Sequence, residues 1–417
     1  MSKVFLKNIA EIQSGPFGTQ LHKDEYVEKG VLMLNAKNIG NGVVLTESVD
    51  YVSENVCSRL SQYVLRDGDI LFGRAGSIER HTYIDKRYAG CFQGTNCIRI
   101  RCNNQRFSRF VSYYLWLPIV KRRIENQTGG SILSYITTDL LKEIEIDLPN
   151  ELTVDRITKT LAMIDRRIQN NKAINDNLEQ QLYLLYDYWF TQFDFPDANG
   201  KPYRSSGGQM VWNNELKRNI PENWYVVPLG EVSSFRNGIN YDKNTSGDTT
   251  YHIVNVRNIS SSSILLDERG LDEICLPCEQ AKKYIVSSES ILIARSGIPG
   301  APRILYDPSE DIIFCGFIIC ATPTDSILQH YLTLFLKQLE GSTATQTGGS
   351  ILKNVSQDTL RNLLVPIPSK DVLTQFNRRV ALIYQFMHNH QKETSKLQDL
   401  RNWLLPMLMN GQATVIE

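Results

Sequence analysis

The chain has 417 residues, 42% of them hydrophobic, and its 45 Lys and Arg are balanced by 45 Asp and Glu. That length accommodates two to three domains of about 150 residues, each able to bury a core, and zero net charge excludes a protein that holds nucleic acid by bulk basicity alone. No apolar run approaches the roughly 20 residues of a membrane span and no signal-peptide layout opens the chain, which points to the cytoplasm and to no membrane partner.

In chain order, the segment Leu6-Lys-Asn-Ile-Ala-Glu-Ile-Gln-Ser-Gly15 leads into short β-branched or apolar runs at residues 31–34, 69–72 and 97–101, bounded by Gly and Asn, which predict strands. Residues 109–124 carry helical periodicity. Then come the heptapeptide Gln-Thr-Gly-Gly-Ser-Ile-Leu at 127–133, a short helix at 137–141, and a strand stopped by Pro149. Beyond the proline, Ile157, Leu161, Ile164, Ile168, Asn171, Asn175, Leu178, Leu182, Leu185 and Trp189 alternate steps of four and three, the a/d seam of a coiled coil. Residues 193–212 break that period with Pro, Gly, Ser and Asn and read as a linker whose aromatics pack on neighbouring surfaces.

The same order then recurs. The heptapeptide returns at 346–352, a shift of 219 residues, and Leu229-Gly-Glu-Val-Ser-Ser-Phe-Arg-Asn-Gly238 matches the opening segment. Asn35-Ala-Lys-Asn-Ile39 matches Asn255-Val-Arg-Asn-Ile259, and Asp69-Ile-Leu-Phe-Gly-Arg-Ala-Gly76 matches Ser290-Ile-Leu-Ile-Ala-Arg-Ser-Gly297. Strands are predicted at 252–256, 290–294 and 312–321, helices at 330–339 and 356–363, and a last strand stops at Pro368. A second seam follows through Phe376, Val380, Ile383, Met387, His390, Thr394, Leu397, Arg401, Leu404 and Leu408.

Polar residues fall in the middle of both seams, Asn171 and Asn175 in one and His390 and Thr394 in the other, where polar a positions select register and partner. The favoured arrangement pairs the two helices antiparallel, because the second domain has to be delivered to the far end; the alternative packs each seam on its own domain. A helix of about 40 residues spans about 60 Å. The fold class is therefore α+β: two repeated mixed domains, 1–150 and 227–369, separated by two long antiparallel coiled-coil helices, 151–190 and 370–417, with a linker at 191–226.

Residues 1–150 carry 19 Lys and Arg against 16 Asp and Glu, a net +3, and residues 227–369 carry 11 against 15, a net −4. The eight cysteines read as reduced core thiols. Cys275-Leu-Pro-Cys278 has the spacing of metal ligands but no second pair nearby, so no metal site is assigned. Gly73-Arg-Ala-Gly76 lacks the third glycine of a cofactor loop. The six histidines pair with no Cys, Ser or Asp at a catalytic spacing, so no catalytic residue and no cofactor are assigned.

The duplicated domain with its opening Leu-x-x-Ile/Val…Ser/Asn-Gly segment, the strand to proline and long helix, and the linker Phe-Asp-Phe-Pro…Gly-Lys-Pro-Tyr…Ser-Gly-Gly…Val-Trp resemble the DNA specificity subunit of type I restriction-modification systems. The resemblance covers essentially the whole chain. It departs at the start of each helix, where the family has Glu-Gln and this chain has Thr153-Val154 and Val372-Leu373. It implies that each target recognition domain reads one half of a bipartite, interrupted double-stranded DNA site. It also implies that the paired helices act as a spacer and dock two methyltransferase subunits, with restriction and translocase subunits in the full complex. Those partners carry the adenine-methylation and cleavage chemistry. This chain has no Asn/Asp-Pro-Pro-aromatic motif and no Gly-x-x-x-x-Gly-Lys-Ser/Thr loop, which fits a non-catalytic subunit. The competing reading is a coiled-coil scaffold that no longer reads DNA, kept open by the acidic second domain.

The groups able to meet DNA are the polar residues of the repeated loops. They are Lys23 in the opening segment, Lys37 and Asn38 with Arg257 and Asn258, and Arg74, Ser77 and Arg80 with Arg295, Ser296 and Arg303. Gln127, Thr128 and Ser131 recur as Gln346, Thr347 and Ser350, beside glycines that allow close backbone approach. Their identity in both copies favours phosphate contact or fold closure over base reading; the alternative is a turn and a helix cap. For Arg74 and Arg295 the alternative is an intradomain salt bridge.

Overall fold

The computed structural model describes residues 2–74, 80–128, 135–241, 247–340 and 355–415, and of Gln127 and Thr128 the backbone alone. Among these no helix is long and apolar enough to cross a membrane. The chain forms two compact units, Met1–Arg167 with Leu397–Glu417, and Ile168–Lys396.

In the first unit, Ser2–Phe5 pairs antiparallel with Glu145–Leu148, so the strand before Pro149 closes the domain against its own beginning. A four-stranded antiparallel sheet follows in the order Ala10–Ser14, Cys97–Cys102, Ile70–Gly73, His81–Tyr83. A second sheet takes Tyr26–Val27, Asp50–Val52, Val31–Leu34 and Phe92–Gln93, the last pairing parallel. Continuous apolar runs such as Ile70-Leu-Phe72 are buried on both faces, so they read as solid rather than alternating strands. The helix predicted at 109–124 is two helices, Gln105–Leu115 and Pro118–Thr128. Pro118 lacks the N–H that would continue the first helix and opens the second.

The second unit repeats this plan. Tyr225–Pro228 pairs with Leu364–Ile367, and a four-stranded sheet runs Ser233–Asn237, Ile318–Pro323, Ile291–Ala294, Pro302–Arg303. The other sheet has Asp272–Leu276, Thr249–Val254 and, in parallel, Ile312–Phe314. The single strand predicted at 312–321 is thus two strands in different sheets, divided by the turn Cys315-Gly-Phe317. A continuous apolar run carries no periodicity to mark that break. Residues 210–221 of the linker form a hairpin, Met210–Asn213 with Arg218–Pro221. Its aromatics Phe193 and Phe195 are buried, with Phe195 stacked on Tyr203 at 4.7 Å, whereas Trp212 is exposed.

Helix Glu151–Tyr186 starts on a cap, since Asn150 Oδ1 accepts the Thr153 N–H at 2.9 Å. Val154, Val372 and Leu373, where the sequence departs from the family pattern, are buried apolar positions in the domain cores. The helices run antiparallel. In the second unit Asn171 Nδ2 donates to Glu393 Oε2 at 2.8 Å and Asn175 Nδ2 to the Met387 carbonyl at 2.9 Å, while His390 Nδ1 lies 3.0 Å from Asn175 Oδ1. In the first unit Arg401 Nη1 donates to Asp165 Oδ1 at 3.1 Å. In the middle of the seams, Ile168, Asn171 and Met387 are buried, and Ile164, Asn175, Leu178, Ile383, His390, Thr394 and Leu397 are half-buried. At one step the deepest side chain is Tyr384, not Ile383. The seams also feed the domain cores. Ile157 and Leu161 pack with Phe110 and Leu141, and Leu182, Tyr186 and Trp189 pack with Tyr331 and Phe376.

The first unit holds a fully buried histidine, His81, and the second a half-buried one, His330. His81 lies between Phe72 and Trp116, at 4.8 and 4.2 Å, with Nε2 2.9 Å from the Ser112 carbonyl. Burial pulls His81 down to about 3 and His330 down to about 4. Below an ordinary value of about 6.5 the unfolded chain takes up protons that the folded chain refuses, so stability is full above that pH and falls as pH drops toward 4. Urea midpoints are expected to decline steadily from pH 6.5 to 4.5. A midpoint unchanged over that interval would contradict histidines held neutral by the fold.

Candidate nucleic-acid interface

The first unit gathers three backbone segments at one end of its four-stranded sheet. Ala10–Ser14 ends at Gly15, whose N–H donates to Cys97 O at 2.8 Å; Arg74, just past Ile70–Gly73, donates its N–H to Asn96 O at 2.8 Å. The turn Gly94-Thr-Asn96 crosses between them from the parallel strand, with Gly94 N donating to Leu34 O at 2.9 Å. A Cβ on Gly15 would run into the Gly94 carbonyl, so glycine is what lets these segments touch.

The second unit builds the same knot from matching residues. Gly238 N donates to Ile318 O at 3.1 Å, Arg295 N to Phe317 O at 3.0 Å, and Cys315 N to Val254 O at 3.0 Å. In both, the segment after the repeated heptapeptide returns to the arginine: Ile136 N donates to Arg74 O at 3.0 Å and Val355 N to Arg295 O at 3.3 Å. Alongside lie short helices at Ala36–Asn38 and Val256–Ser261, each opened by an asparagine, Asn35 or Asn255.

Arg74 and Arg295 are half-buried at these strand ends. Arg74 Nη1 approaches Ser14 Oγ at 3.5 Å and Arg295 Nη1 donates to Gly316 O at 3.2 Å; among the described residues neither meets a carboxylate. The expected alternative of a salt bridge is therefore not seen there. Lys23 is exposed beside the opening loop. Lys37 and Arg257 are exposed but paired, Lys37 Nζ with Asp50 at 3.0 Å and Arg257 with Asp272. Ser296 is half-buried next to Arg295, and Arg80 is half-buried before the strand His81–Tyr83.

Three candidates are corrected by their surroundings. Asn38 is buried: its Oδ1 accepts the Asn35 N–H at 3.0 Å and its Nδ2 donates to Leu45 O and Ser48 O. Asn258 does the same work, accepting from Asn255 N at 2.8 Å and donating to Gly270 O at 3.3 Å. These amides close reciprocal caps; both Asn38 donor hydrogens are thereby spent inside the domain, while half-buried Asn258 uses one of its two. Arg303 is 2% exposed and bonds Glu340 at 2.9 and 3.1 Å plus the carbonyls of Ser262 and Pro302, which leaves it no route to DNA. Ser77, Ser131, Gln346, Thr347, Ser350 and the side chains of Gln127 and Thr128 lie outside the described residues. Cys275 and Cys278 are exposed and Cys57 is half-buried, so the core-thiol expectation holds only for the five buried cysteines.

The structure adds residues that the repeat did not mark. Phe17, Asn96, Asn240, Tyr241 and Phe317 are all exposed on the strand-end loops, Phe17 by 59% and Phe317 by 63%. They differ between copies, so a search for repeated residues passes over them. The usable signal was an aromatic set beside glycine, as in Gly15-Pro-Phe17 and Gly316-Phe317.

The family description "Type I restriction modification DNA specificity domain" matches residues 1–180 and 221–401. The chain is 24% identical over 318 residues to the type I restriction enzyme MjaIX specificity subunit of Methanocaldococcus jannaschii, covering 74% of this chain and 70% of that one. It is 21% identical over 410 residues to the HindI specificity subunit of Haemophilus influenzae, covering 84% and 87%. Its fold is similar to the crystal structure of a type I restriction-modification S subunit from M. genitalium, with a TM-score of 0.57 at 18% identity over 98% of this chain and 95% of that one. Two matched segments that together take in both units make this chain a member of the type I restriction-modification DNA specificity family.

Proposed function

We propose that each unit reads one half of a bipartite, interrupted double-stranded DNA site, and that the helices join the readers and dock two methyltransferase subunits. Restriction and translocase subunits complete the assembly in this reading, and the chain itself supplies address rather than chemistry. The observation that carries it is the repeated strand-end knot, where Arg74 and Arg295 stand on matched backbone beside exposed aromatic and amide side chains. Arginine can grip phosphate or guanine edges, amides can read adenine, and rings can meet thymine methyls. Lys23, Lys37, Arg257 and Ser296 flank this surface, and Arg80 precedes the strand His81–Tyr83 that pairs with Ile70–Gly73. A scaffold that had ceased to read DNA would have no use for such a knot kept in both copies.

Net charges of +3 and −4 over the two counted regions give too little attraction for tight binding by the chain alone. Retention of duplex DNA by the isolated chain is expected to be weak and to fall steeply with salt; sequence-specific retention is expected once methyltransferase is added. If the complex retains no DNA, or the chain alone binds one sequence tightly, this division of labour is wrong.

A further inference from the structure

Three residues bridge the parallel strand to the four-stranded sheet in each unit, Gly94-Thr-Asn96 and Cys315-Gly-Phe317, and identical backbone bonds place them in register. The first residue donates to the carbonyl of Leu34 or Val254, the carbonyl of the third accepts from Arg74 N or Arg295 N, and the next residue, Cys97 or Ile318, accepts from Gly15 N or Gly238 N. Asn96 and Phe317 are therefore the same position in two readers. Both are exposed, while the strand residues on either side of each turn are buried, and a Cβ on the glycine before Phe317 would meet the Asn240 side chain. The turn thus holds one side chain outward on pinned backbone, and that side chain differs in kind: an amide in one unit, a phenyl ring in the other.

We infer that this turn residue is a specificity-determining position, with Asn96 reading an adenine edge in one half-site and Phe317 packing on a thymine methyl group in the other. The inference rests on the DNA-reading proposal above and narrows it to two side chains. An amide can make paired hydrogen bonds to adenine N6 and N7, and a phenyl ring can offer only apolar contact, which in the major groove selects the thymine methyl. Phe317 is 63% exposed and joins none of the buried cores among the described residues. Arg295 braces the turn through Gly316 O at 3.2 Å, so the ring is presented on rigid backbone rather than on a mobile loop.

The test uses the full chain with its methyltransferase subunits and duplexes carrying the methylated motif, with thymine replaced one position at a time by deoxyuridine, which lacks only the methyl. Wild type is expected to lose about tenfold in methylation rate at one thymine of one half-site. F317N is expected to be indifferent to that replacement and N96F to change preference in the opposite half-site. F317A, which removes the ring without adding an amide, checks that the effect belongs to the ring. Both half-sites unchanged in F317N, F317A and N96F with methylation retained would overturn the assignment yet leave the DNA-reading proposal standing. Unchanged DNA retention in a doubly substituted Arg74→Ala, Arg295→Ala complex would count against that proposal instead.

Discussion

Exchanging residues 1–150 for the corresponding stretch of another family member is expected to change one half of the recognised sequence completely and leave the other half intact. The reason is that the cores are separate: Leu6, Ile70, Phe110 and Leu141 belong to one, and Ile293, Tyr331, Leu332 and Val365 to another. The cut at 150 nevertheless runs through a core, because Val154, Ile157, Leu161, Leu405 and Leu408 pack with the first domain. Tyr113 also donates from its hydroxyl to Asp165 Oδ2 at 2.6 Å. A donor domain that lacks matching partners at these points is expected to give an unstable chimera, and moving Val154, Ile157, Leu161 and Asp165 with the domain should restore it. Methylome sequencing reads the outcome; alteration of both half-sites would rule out independent readers.

Glu340→Ala is expected to cost the second unit about 3–5 kcal/mol, because it leaves the Arg303 guanidinium buried without its counter-charge. The side chains of Arg303 and Glu340 are 3% and 13% exposed and are joined by two bonds, with Lys337 Nζ at 2.6 Å from the same carboxylate. Burial works to raise the Glu340 carboxyl, yet the hydrogen bonds from Arg303 and Lys337 outweigh it and hold it below its ordinary value. Its stabilisation is therefore present at neutral pH and fades as pH falls into the acid range. Urea unfolding followed by the fluorescence of buried Trp189 and Trp224 measures the loss, with Glu340→Gln as a milder comparison. A loss under about 1 kcal/mol would mean that water reaches the arginine after all.

The duplication, the long seams and the family were legible in the sequence because each is a pattern of spacing: a heptapeptide repeated at a shift of 219, steps of four and three, and a proline closing each domain. Local chemistry was legible too where it acts over a few residues. The strand Val31–Leu34 and the helix after Thr137, whose side chain accepts the Leu140 N–H, fall where residue type places them. What the tertiary structure decided is where distant segments meet. Residues 312–321 look like one strand because an almost unbroken apolar run shows no alternation, and only the pairing of Ile312–Phe314 with one sheet and Ile318–Pro323 with another reveals the turn. Asn38, Asn258 and Arg303 look like DNA-reading groups because type and position are all that a sequence displays, whereas Asn38 and Arg303 are buried with bonded partners and the Asn258 amide is engaged in its own turn. Phe317 went unread for the converse reason: phenylalanine ordinarily belongs to a core, and here a turn pinned between two sheets holds its ring out to solvent.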